Sequence, residues 1–375
     1  MLRKITNAVL YRTDKWRPPV SLKNGGTKSA LLSYILTPFR GNSRVLHSSA
    51  VEAIEMADAL AELGFNVDGV DYRYQGKIDY NKYDLVIGFG YPFRQSLVSL
   101  KEGAKRICYL TGASPGYSNL AEATRVKYLY QRKGVVVSPQ REVYWPWVNS
   151  VVNADALMII GNEWTKSTYQ GIHENIFTLP VPFIAHARPI SSDLDNTNGF
   201  VWFSGPGAVH KGLDLILDAI QLDQNNVMLD ICGNISKEKD FCNSYRNEIF
   251  DNRQVSYMGM IGPETEQMDK VIARNSFTIL PTCSEGTASS VITCMASGLI
   301  PVVTKESGVN LQGFGIEIKK ATPASVREAM IEASSLPADE ILRQRRKVSE
   351  YVHANHSPAA FKQQFKQALT TVIES

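Results

Sequence analysis

Short apolar runs alternate along the chain with longer stretches in which apolar residues recur at helical spacing. In the first half, this pattern predicts strands at 30–37, 65–71, 83–90, 106–111, 156–161 and 176–180, helices at 48–63, 120–131 and within 145–153, and a helix start at 162–164. Near-continuous apolar strands that alternate with helices are typical of a parallel sheet covered on both faces. We therefore predict an α/β domain at residues 1–184, in which 1–28 form a basic arm or an early loop.

A polar segment at 185–199, rich in Pro, Ser, Asn and Asp, interrupts the alternation and is predicted to be a linker. Beyond it, strands are predicted at 200–203, 227–232, 255–258, 277–280 and 300–304, and helices at 213–220, 239–250, 265–274, 288–297, 325–334 and 339–354. A second α/β domain is therefore predicted at 200–357, and a last helix follows at 358–375.

The segment 279–303 combines a strand, a short polar loop, a helix and a second strand. Pro281 stops the first strand, and Gly298 closes the helix that begins near Ala288. Such a helix start leaves free N–H groups at the carboxyl end of the sheet, where they suit an anion. Glu285, in the loop, is a candidate acceptor of hydrogen bonds from ligand hydroxyls. The alternative is an ordinary βαβ crossover with Gly and Pro at its turns.

A glycine-rich turn at the start of the second domain is the other candidate for chemistry. The strand at 200–203 ends at Ser204, and Gly205 and Gly207 follow it. Because glycine has no Cβ, the backbone here can approach a bulky anion closely. Lys211, just before the next helix, would add a positive point charge to a diphosphate.

Both segments resemble donor-site elements of the retaining GT-B glycosyltransferases of the group-1, GT4-like family. The loop-and-helix element of that family reads Pro-Ser-x-x-Glu-Gly, then a second Glu, then Ala-x-Gly-x-Pro-Val-Val. The matching residues are Pro281, Glu285, Gly286, Met295, Ala296, Gly298, Pro301, Val302 and Val303. The family's Gly-Arg-x-x-x-x-Lys-Gly element is matched by Gly205, Lys211 and Gly212.

Two positions depart from the family pattern. Thr293 stands where the family has its second Glu, which typically holds the ribose of the nucleotide, and Pro206 stands where an Arg helps to bind the diphosphate. Neither residue can bind in the same way. We therefore expect Lys211 and helix N-termini to carry more of the phosphate binding.

The resemblance implies an α/β GT-B fold, with two Rossmann-like domains facing across a cleft and the last helix crossing back to the first domain. The second domain would bind a nucleotide sugar and the first the acceptor, and the sugar would be transferred with retention. The catalytic residues would be Glu285 and Lys211. The substrate-binding residues would be Gly205, Gly207, Gly259, Met260, Gly286, Thr287, Ala288 and Thr293 in the second domain, and Gly41, Asn42 and His47 in the first.

Several alternatives stay open at this point. A catalytically silent sugar-nucleotide binding protein, or a GT-B nucleotide-sugar epimerase, would share the fold. The turn at Gly259 and Met260 is either a nucleobase site or a plain loop, and His47 is either in the site or a helix-capping residue. Residues 144–147, with the sequence YWPW, either stack on sugar rings or belong to the core, which we favour.

Composition indicates the cellular compartment and the classes of ligand and partner that we expect. The five cysteines are scattered and odd in number, which is typical of buried thiols in a reducing compartment. The sequence has no secretory signal and no apolar run of the ~18 residues that a spanning helix needs, so we expect a cytoplasmic protein. No cysteine pair has metal-ligand spacing, and the Asp193-x-Asp195 pattern lies in the polar linker, where we interpret it as linker composition. We expect no metal, no cofactor beyond the nucleotide-sugar co-substrate, and no nucleic acid partner.

Charge is unevenly distributed along the chain. The net charge is +3, but residues 1–45 contain nine Lys or Arg and one Asp, which gives +8 there and −5 elsewhere. A basic end can attract anionic lipid or phosphate-bearing substrates, although a solvated arm is the alternative. With the resemblance, this implies a glycan or lipid-linked acceptor, peripheral contact with the inner face of a membrane, and a role in surface polysaccharide or lipopolysaccharide synthesis.

Overall fold

A computed structural model describes residues 11–40, 47–184, 197–222 and 227–374. The chain divides into two compact units, and neither is continuous in sequence. Unit 1 combines Met1–Thr111, Tyr144–Pro182 and His356–Ser375, and unit 2 combines Gly112–Val143 and Phe183–Asn355.

Unit 1 is built on a seven-stranded sheet with the order β1-β3-β2-β4-β5-β6-β7. All neighbouring strands are parallel except β1, which pairs antiparallel with β3 at one edge. The strands are β1 Val20–Lys23, β2 Lys28–Tyr34, β3 Phe65–Asp71, β4 Leu85–Gly88, β5 Lys105–Leu110, β6 Ala156–Ile160 and β7 Ile176–Leu179. The α-helices of this unit whose bounds lie within the described residues are α1 Ser48–Glu62, α2 Gly90–Ser96, α4 Val148–Val152, α5 Glu163–Ser167 and α13 Pro358–Glu374, and residues 11–14 are also helical.

The last helix completes unit 1. Phe361 and Phe365 of α13 are fully buried, and the helix packs against α1. Lys362 and Lys366 form ion pairs with Glu62 at the end of α1, at 3.1 and 2.7 Å. Burial of these aromatic rings stabilises the packing of the helix at 358–374 against unit 1. This helix therefore belongs to unit 1, although it follows unit 2 in sequence.

Unit 2 is built on a six-stranded, fully parallel sheet with the order β10-β9-β8-β11-β12-β13. The strands are β8 Gly199–Phe203, β9 Met228–Cys232, β10 Val255–Tyr257, β11 Phe277–Leu280, β12 Ile300–Val303 and β13 Ile316–Glu317. The helices are α3 Pro115–Lys133, α6 Leu213–Gln221, α7 Lys239–Ser244, α8 Arg246–Phe250, α9 Glu266–Ala273, α10 Ser289–Ala296, α11 Pro323–Ser334 and α12 Ala338–Asn355.

Residues 112–143 are the main difference from the predicted domain plan, which assigned them to the first domain. The structure assigns them to unit 2. Arg125 of α3 is 4% exposed and contacts both carboxylate oxygens of Asp214, at 2.8 and 3.0 Å, and Arg132 pairs with the same carboxylate. Asp214, at the start of α6, is fully buried, so its carboxylate needs these cations as partners. The sequence pattern does not indicate this pairing, because the two arginines and Asp214 are far apart along the chain.

Smaller differences have local causes. Part of the predicted arm, Val20–Lys23, forms β1, and the predicted helix 239–250 is two helices separated at Tyr245. Tyr245 leaves helical geometry, with φ −117°, and its buried ring stacks on Phe241 at 4.9 Å. The two short elements α2 and β13 were not predicted. Most of the predicted linker lies outside the described residues, and residue 199 already belongs to β8.

The favoured core interpretation of residues 144–147 is correct in part. Trp145 and Trp147 pack against the core of unit 1, whereas Tyr144 is 81% exposed. Four of the five free cysteines are buried, as expected of small apolar side chains, and Cys242 is half-buried. No helix of the described residues has the length and apolarity to cross a membrane.

Candidate active site

The two predicted elements of chemistry meet at one edge of the unit 2 sheet. β8 and β11 are parallel neighbours, with Phe200 opposite Phe277 and Val201 opposite Thr278. The carboxyl ends of these strands therefore lie side by side. The loop after β8 carries Lys211, and the loop after β11 carries Glu285.

The position of Lys211 is fixed by its neighbours. Its backbone carbonyl accepts a hydrogen bond at 3.2 Å from the indole N–H of Trp202, which is fully buried. Gly212 follows with φ +71°, and a Cβ at this position would lie 2.2 Å from the carbonyl oxygen of Pro281. Glycine is therefore required there, because it gives the left-handed backbone and lets the two loops approach each other.

Lys211 and Glu285 form a largely buried ion pair between Nζ and Oε1. Their side chains are 9% and 13% exposed. Although burial opposes the ionisation of Glu285, Lys211 and Arg141 outweigh it and lower the pKa of this carboxyl to about 2. Burial lowers the pKa of Lys211, and Glu285 opposes that shift. The two predicted catalytic residues are thus brought into direct contact, as an anion and a cation that neutralise each other.

The glycine turn is used differently from the prediction. The N–H groups of Gly207 and Ala208 donate hydrogen bonds to the carboxylate of Glu238, at 2.7 and 2.9 Å. Glu238 is 5% exposed, and burial raises its pKa, which these hydrogen bonds partly offset. The prediction that the backbone of Gly205 and Gly207 approaches an external anion is therefore corrected at Gly207, whose N–H already binds a carboxylate of the chain.

Arg141 is a charged residue beside this pair that the sequence pattern did not indicate. The Glu122 carboxylate accepts hydrogen bonds from the backbone N–H groups of Gln140, at 2.7 Å, and Arg141, at 2.9 Å, which fixes this turn of the chain. The side chain then crosses the glycine turn, because a Cβ on Gly207 would lie 2.8 Å from Arg141 Cγ. The charge of Arg141 also contributes to the lowered pKa of Glu285.

Arg141 is an exposed residue, and its guanidinium forms no ion pair with any of the residues that the structure describes. Arg141 lies 64 positions before Gly205, the first glycine of the turn, in a segment without a recognisable motif. Only the inclusion of Gly112–Val143 in unit 2 brings it to this edge of the sheet.

His210 connects the two loops. Its Nε2 lies 2.7 Å from the carbonyl oxygen of Ser284 and donates to it, and its own carbonyl accepts the N–H of Cys283 at 3.0 Å. The ring is 3% exposed, and burial lowers its pKa. Its Nδ1 lies 3.9 Å from the Glu122 carboxylate. His210 therefore holds the loop of Glu285 against the glycine turn, as a neutral ring.

The loop around Glu285 is held by backbone contacts. The N–H of Glu285 donates to the carbonyl of Glu306 at 2.9 Å, and the hydroxyl of Thr287 donates to the carbonyl of Gly308 at 3.2 Å. Ala288 precedes α10 and provides no side-chain cap for its first turn. Thr293 lies within α10 and is 4% exposed. Gly286, Thr287 and Ala288 directly follow Glu285 in this loop, so they lie next to the ion pair.

The remaining predicted residues belong to other segments of the chain. Gly259 and Met260 follow β10, at the same edge of the sheet but two strands from β8, and Met260 is 60% exposed. His47 belongs to unit 1, and its ring accepts a hydrogen bond from the Ser49 N–H at 3.2 Å, so the capping interpretation is confirmed. The predicted residues Gly41 and Asn42 lie outside the described part of the chain.

Residues 188–351 match the family model described as glycosyl transferases group 1. This range contains Lys211, Glu285, His210 and Glu238, whereas Arg141 and Glu122 lie outside it. The matched range is less than half of the chain, so the comparison shows that this segment is similar to that family. No curated protein matches this sequence.

Solved structures show the fold of the whole chain. The sucrose-phosphate synthase of Thermosynechococcus elongatus is 13% identical, with 92% of this chain and 99% of that chain covered and a TM-score of 0.60. Anabaena HepE, in complex with UDP and glucose, is 10% identical, with 92% and 99% covered and a TM-score of 0.56. TarM of S. aureus is 13% identical, with 78% and 55% covered and a TM-score of 0.54, so this chain spans about half of TarM. The fold is GT-B, with two Rossmann-like units.

Proposed function

We propose that this chain transfers a sugar from a nucleotide-sugar donor to a glycan or lipid-linked acceptor, with retention of the anomeric configuration. The observation that carries the proposal is the Lys211–Glu285 ion pair at the ends of two adjacent parallel strands of a group 1 domain. Support comes also from the related fold of HepE, whose structure contains UDP and glucose. The surface polysaccharide or lipopolysaccharide pathway remains part of the proposal.

Charge balance suggests how the donor is held. Lys211 and Glu285 cancel each other, so this pair alone offers no net charge to an anionic diphosphate. Arg141 adds one positive charge beside the same turn. We propose that Arg141 takes the part that Pro206 cannot, and that Arg141 and Lys211 together stabilise the negative charge that develops on the leaving diphosphate.

Glu285 would act on the sugar. Its low pKa keeps it ionised at neutral pH, so it can accept hydrogen bonds from sugar hydroxyls. A carboxylate there also favours positive charge developing at the anomeric carbon in the transition state. Interactions that strengthen in the transition state raise kcat, whereas uniform binding affects only KM.

The test is transfer of labelled sugar from UDP-, GDP-, dTDP- and ADP-linked donors, after a thermal-shift screen with the free nucleotides to find the base. Glu285→Gln should lower kcat about a hundredfold, because it removes one electrostatic contact of the active site. Glu332→Gln, at an exposed position of α11, is the matched control. Activity should persist in excess chelator, since we propose that no metal takes part.

Each outcome separates the alternatives. Near wild-type turnover of Glu285→Gln contradicts the site assignment. Nucleotide binding without transfer or epimerisation of any donor supports a silent binding protein, and interconversion of donor sugars supports an epimerase. Loss of activity in chelator that Mg²⁺ or Mn²⁺ restores contradicts metal independence.

A further inference from the structure

A pocket of about 370 Å³ opens in unit 1, well apart in sequence from the site in unit 2. It lies at the carboxyl ends of β3 and β4, because Tyr72 directly follows β3 and Phe89 directly follows β4. Trp145 closes another side, and Tyr91 and Arg94 of α2 complete the lining. Its volume falls in the range of small-molecule sites, roughly 300–1,000 Å³.

Aromatic rings form a continuous wall of this pocket. The rings of Tyr72 and Phe89 are 4.7 Å apart at 34°, and those of Phe89 and Trp145 are 6.1 Å apart at 37°. The shape is fixed by the backbone, because the N–H of Tyr91 donates to the carbonyl of Tyr72 at 2.8 Å. Gly90 has φ +84°, and a Cβ there would lie 2.1 Å from that same carbonyl oxygen. The wall is therefore preformed.

Two arginines line the pocket, and only one is available to a ligand. Arg73 donates to both carboxylate oxygens of Asp71, at 2.7 and 2.9 Å, and Asp71 is fully buried. Arg73 also lies 3.9 Å from the ring centroid of Tyr11. Arg94 is exposed on α2, and within the described ranges it forms no ion pair. The pocket thus presents one unneutralised cation beside an apolar wall.

This combination selects a ligand with two properties. Flat aromatic walls bind an apolar face, and a guanidinium binds a carboxylate or a phosphate in a bidentate manner. A plain hydrocarbon chain would leave Arg94 without a partner, and a free inorganic anion would leave the wall uncovered. A sugar ring has an apolar face of C–H groups and a polar edge, and an acidic sugar adds the anion.

We infer that this pocket binds a sugar unit that carries a carboxylate or a phosphate, as part of the acceptor. The inference rests on the proposed function, which supplies the need for an acceptor, and it adds the chemical class of that acceptor. Trp145 and Phe89 would cover the face of the ring, and Arg94 would bind its acidic group.

The test is ligand-detected NMR with the full chain and two matched pairs of probes. One pair is a uronic acid disaccharide and its carboxyl-reduced form, and the other is a hexose 6-phosphate and the free hexose. We expect at least one acidic probe to bind about tenfold more tightly than its neutral partner, because a charge-assisted hydrogen bond is lost in the neutral form. The two pairs distinguish a carboxylate from a phosphate.

Variants assign the binding to the pocket. Arg94→Gln should lower the affinity of the acidic probe to that of its neutral partner, and Trp145→Ala should weaken both members of a pair. Arg346→Gln, which removes an exposed arginine from α12 in unit 2, should change neither. Equal binding of acidic and neutral probes, an unchanged Arg94→Gln variant, or no binding of any probe would overturn the inference.

The same samples keep this inference separate from the proposed function. Titration with the nucleoside diphosphate found in the thermal-shift screen reports on the site in unit 2 alone. Acidic sugar binding without nucleotide binding would support the sugar site in unit 1 and contradict the proposed glycosyltransferase function. The opposite outcome is that no acidic sugar binds, while nucleotide binding and sugar transfer are unchanged in the variants of Arg94 and Trp145. This outcome would contradict the sugar site in unit 1 and support the proposed glycosyltransferase function.

Discussion

At the scale of single residues, the site depends on which charges already have partners. Lys211 is neutralised by Glu285, and the amide groups of the glycine turn are occupied by Glu238. Arg141 is the cation beside them that has no ion-pair partner among the residues described. An incoming diphosphate would therefore meet Arg141 first. Because Arg141 has no ion-pair partner among the described residues, replacing it leaves no buried charge without a partner. Among such replacements, we expect that of Arg141 to have the largest effect on nucleotide binding.

Arg141→Ala should weaken binding of the free nucleoside diphosphate by about tenfold or more, because a charge-assisted hydrogen bond contributes about 1.5–3 kcal/mol. Arg141→Lys should restore part of the affinity, since it keeps the charge and loses the bidentate fork. Calorimetric titration measures both, with Arg346→Gln as the control for the loss of one positive charge. Unchanged affinity in Arg141→Ala would return the phosphate site to Lys211 and the helix N-terminus alone.

Sequence was sufficient for some of these residues and insufficient for others. Glu285 and Lys211 could be predicted because each lies in a local strand–loop–helix pattern whose geometry is fixed by nearby Gly and Pro. Arg141 and Glu238 could not, because their roles depend on contacts between segments that are distant along the chain. Arg141 has no local motif, and Glu238 precedes a short helix as an ordinary acidic residue would.

At the scale of helices and strands, buried charges determine how elements join. Asp214, in the first turn of α6, is fully buried, and α3 contributes both arginines that contact it. Helix length and periodicity were predicted well for α1, α6 and α13, whose apolar faces follow a regular pattern. The assignment of α3 to unit 2 was missed because it follows from this ion pairing and not from periodicity.

Arg125→Met should destabilise the protein by about 3 kcal/mol, because it leaves the Asp214 carboxylate buried with one fewer partner. Urea denaturation of the full chain gives the change in unfolding free energy. The double variant Arg125→Met, Asp214→Asn should recover part of the loss, because no buried anion then remains. A loss below about 1 kcal/mol in the single variant would mean that Arg132 alone satisfies Asp214.

A second buried carboxylate links α1 to the sheet of unit 1. Oε2 of Glu52 accepts hydrogen bonds from the hydroxyls of Tyr34, at 2.8 Å, and Tyr109, at 2.9 Å. Glu52 is 2% exposed, and burial raises its pKa above the ordinary value of 4.5, although the tyrosines oppose this shift. Between the two pKa values the folded state binds more protons than the unfolded state, so stability falls as pH rises.

Glu52→Gln should remove this dependence, because the amide oxygen still accepts both hydroxyls and carries no charge. The unfolding free energy of the variant minus that of the wild type should increase as pH rises from 4.5 through the raised pKa of Glu52. Urea denaturation at a series of pH values measures the difference. Two parallel curves would show that Glu52 titrates as it does in the unfolded chain.

At the scale of the whole molecule, the positive charge of residues 1–45 is partly neutralised within the fold. Arg40 pairs with Asp14 and Lys23 with Asp58. Lys15 and Arg17 are exposed on either side of Trp16, which is 73% exposed. Exposed tryptophan flanked by cations is typical of a segment that meets a membrane surface, so among the described residues we place the predicted membrane contact at this short stretch.

Binding to anionic vesicles should therefore be salt-dependent and should decrease in the triple variant Arg12→Gln, Lys15→Gln, Arg17→Gln. Each cation near an anionic surface contributes about 1 kcal/mol, which screening by salt reduces. Co-sedimentation with anionic and neutral vesicles measures the effect. The control removes three exposed cations of α12, namely Arg343, Arg346 and Lys347. Equal binding to both kinds of vesicle, or none at low salt, leaves only a solvated basic segment.

The contact between α13 and α1 in unit 1 can form only after α13 has been synthesised. The surface of α1 that α13 covers is complete when Glu62 has been made, but the chain reaches His356 only 294 residues later. At a synthesis rate of about 5–20 residues per second, that apolar surface waits roughly 15–60 s for its cover. Unit 2, whose residues all precede His356, is complete first. The surface of α1 that α13 covers therefore stays without this helix for most of the translation of the sequence.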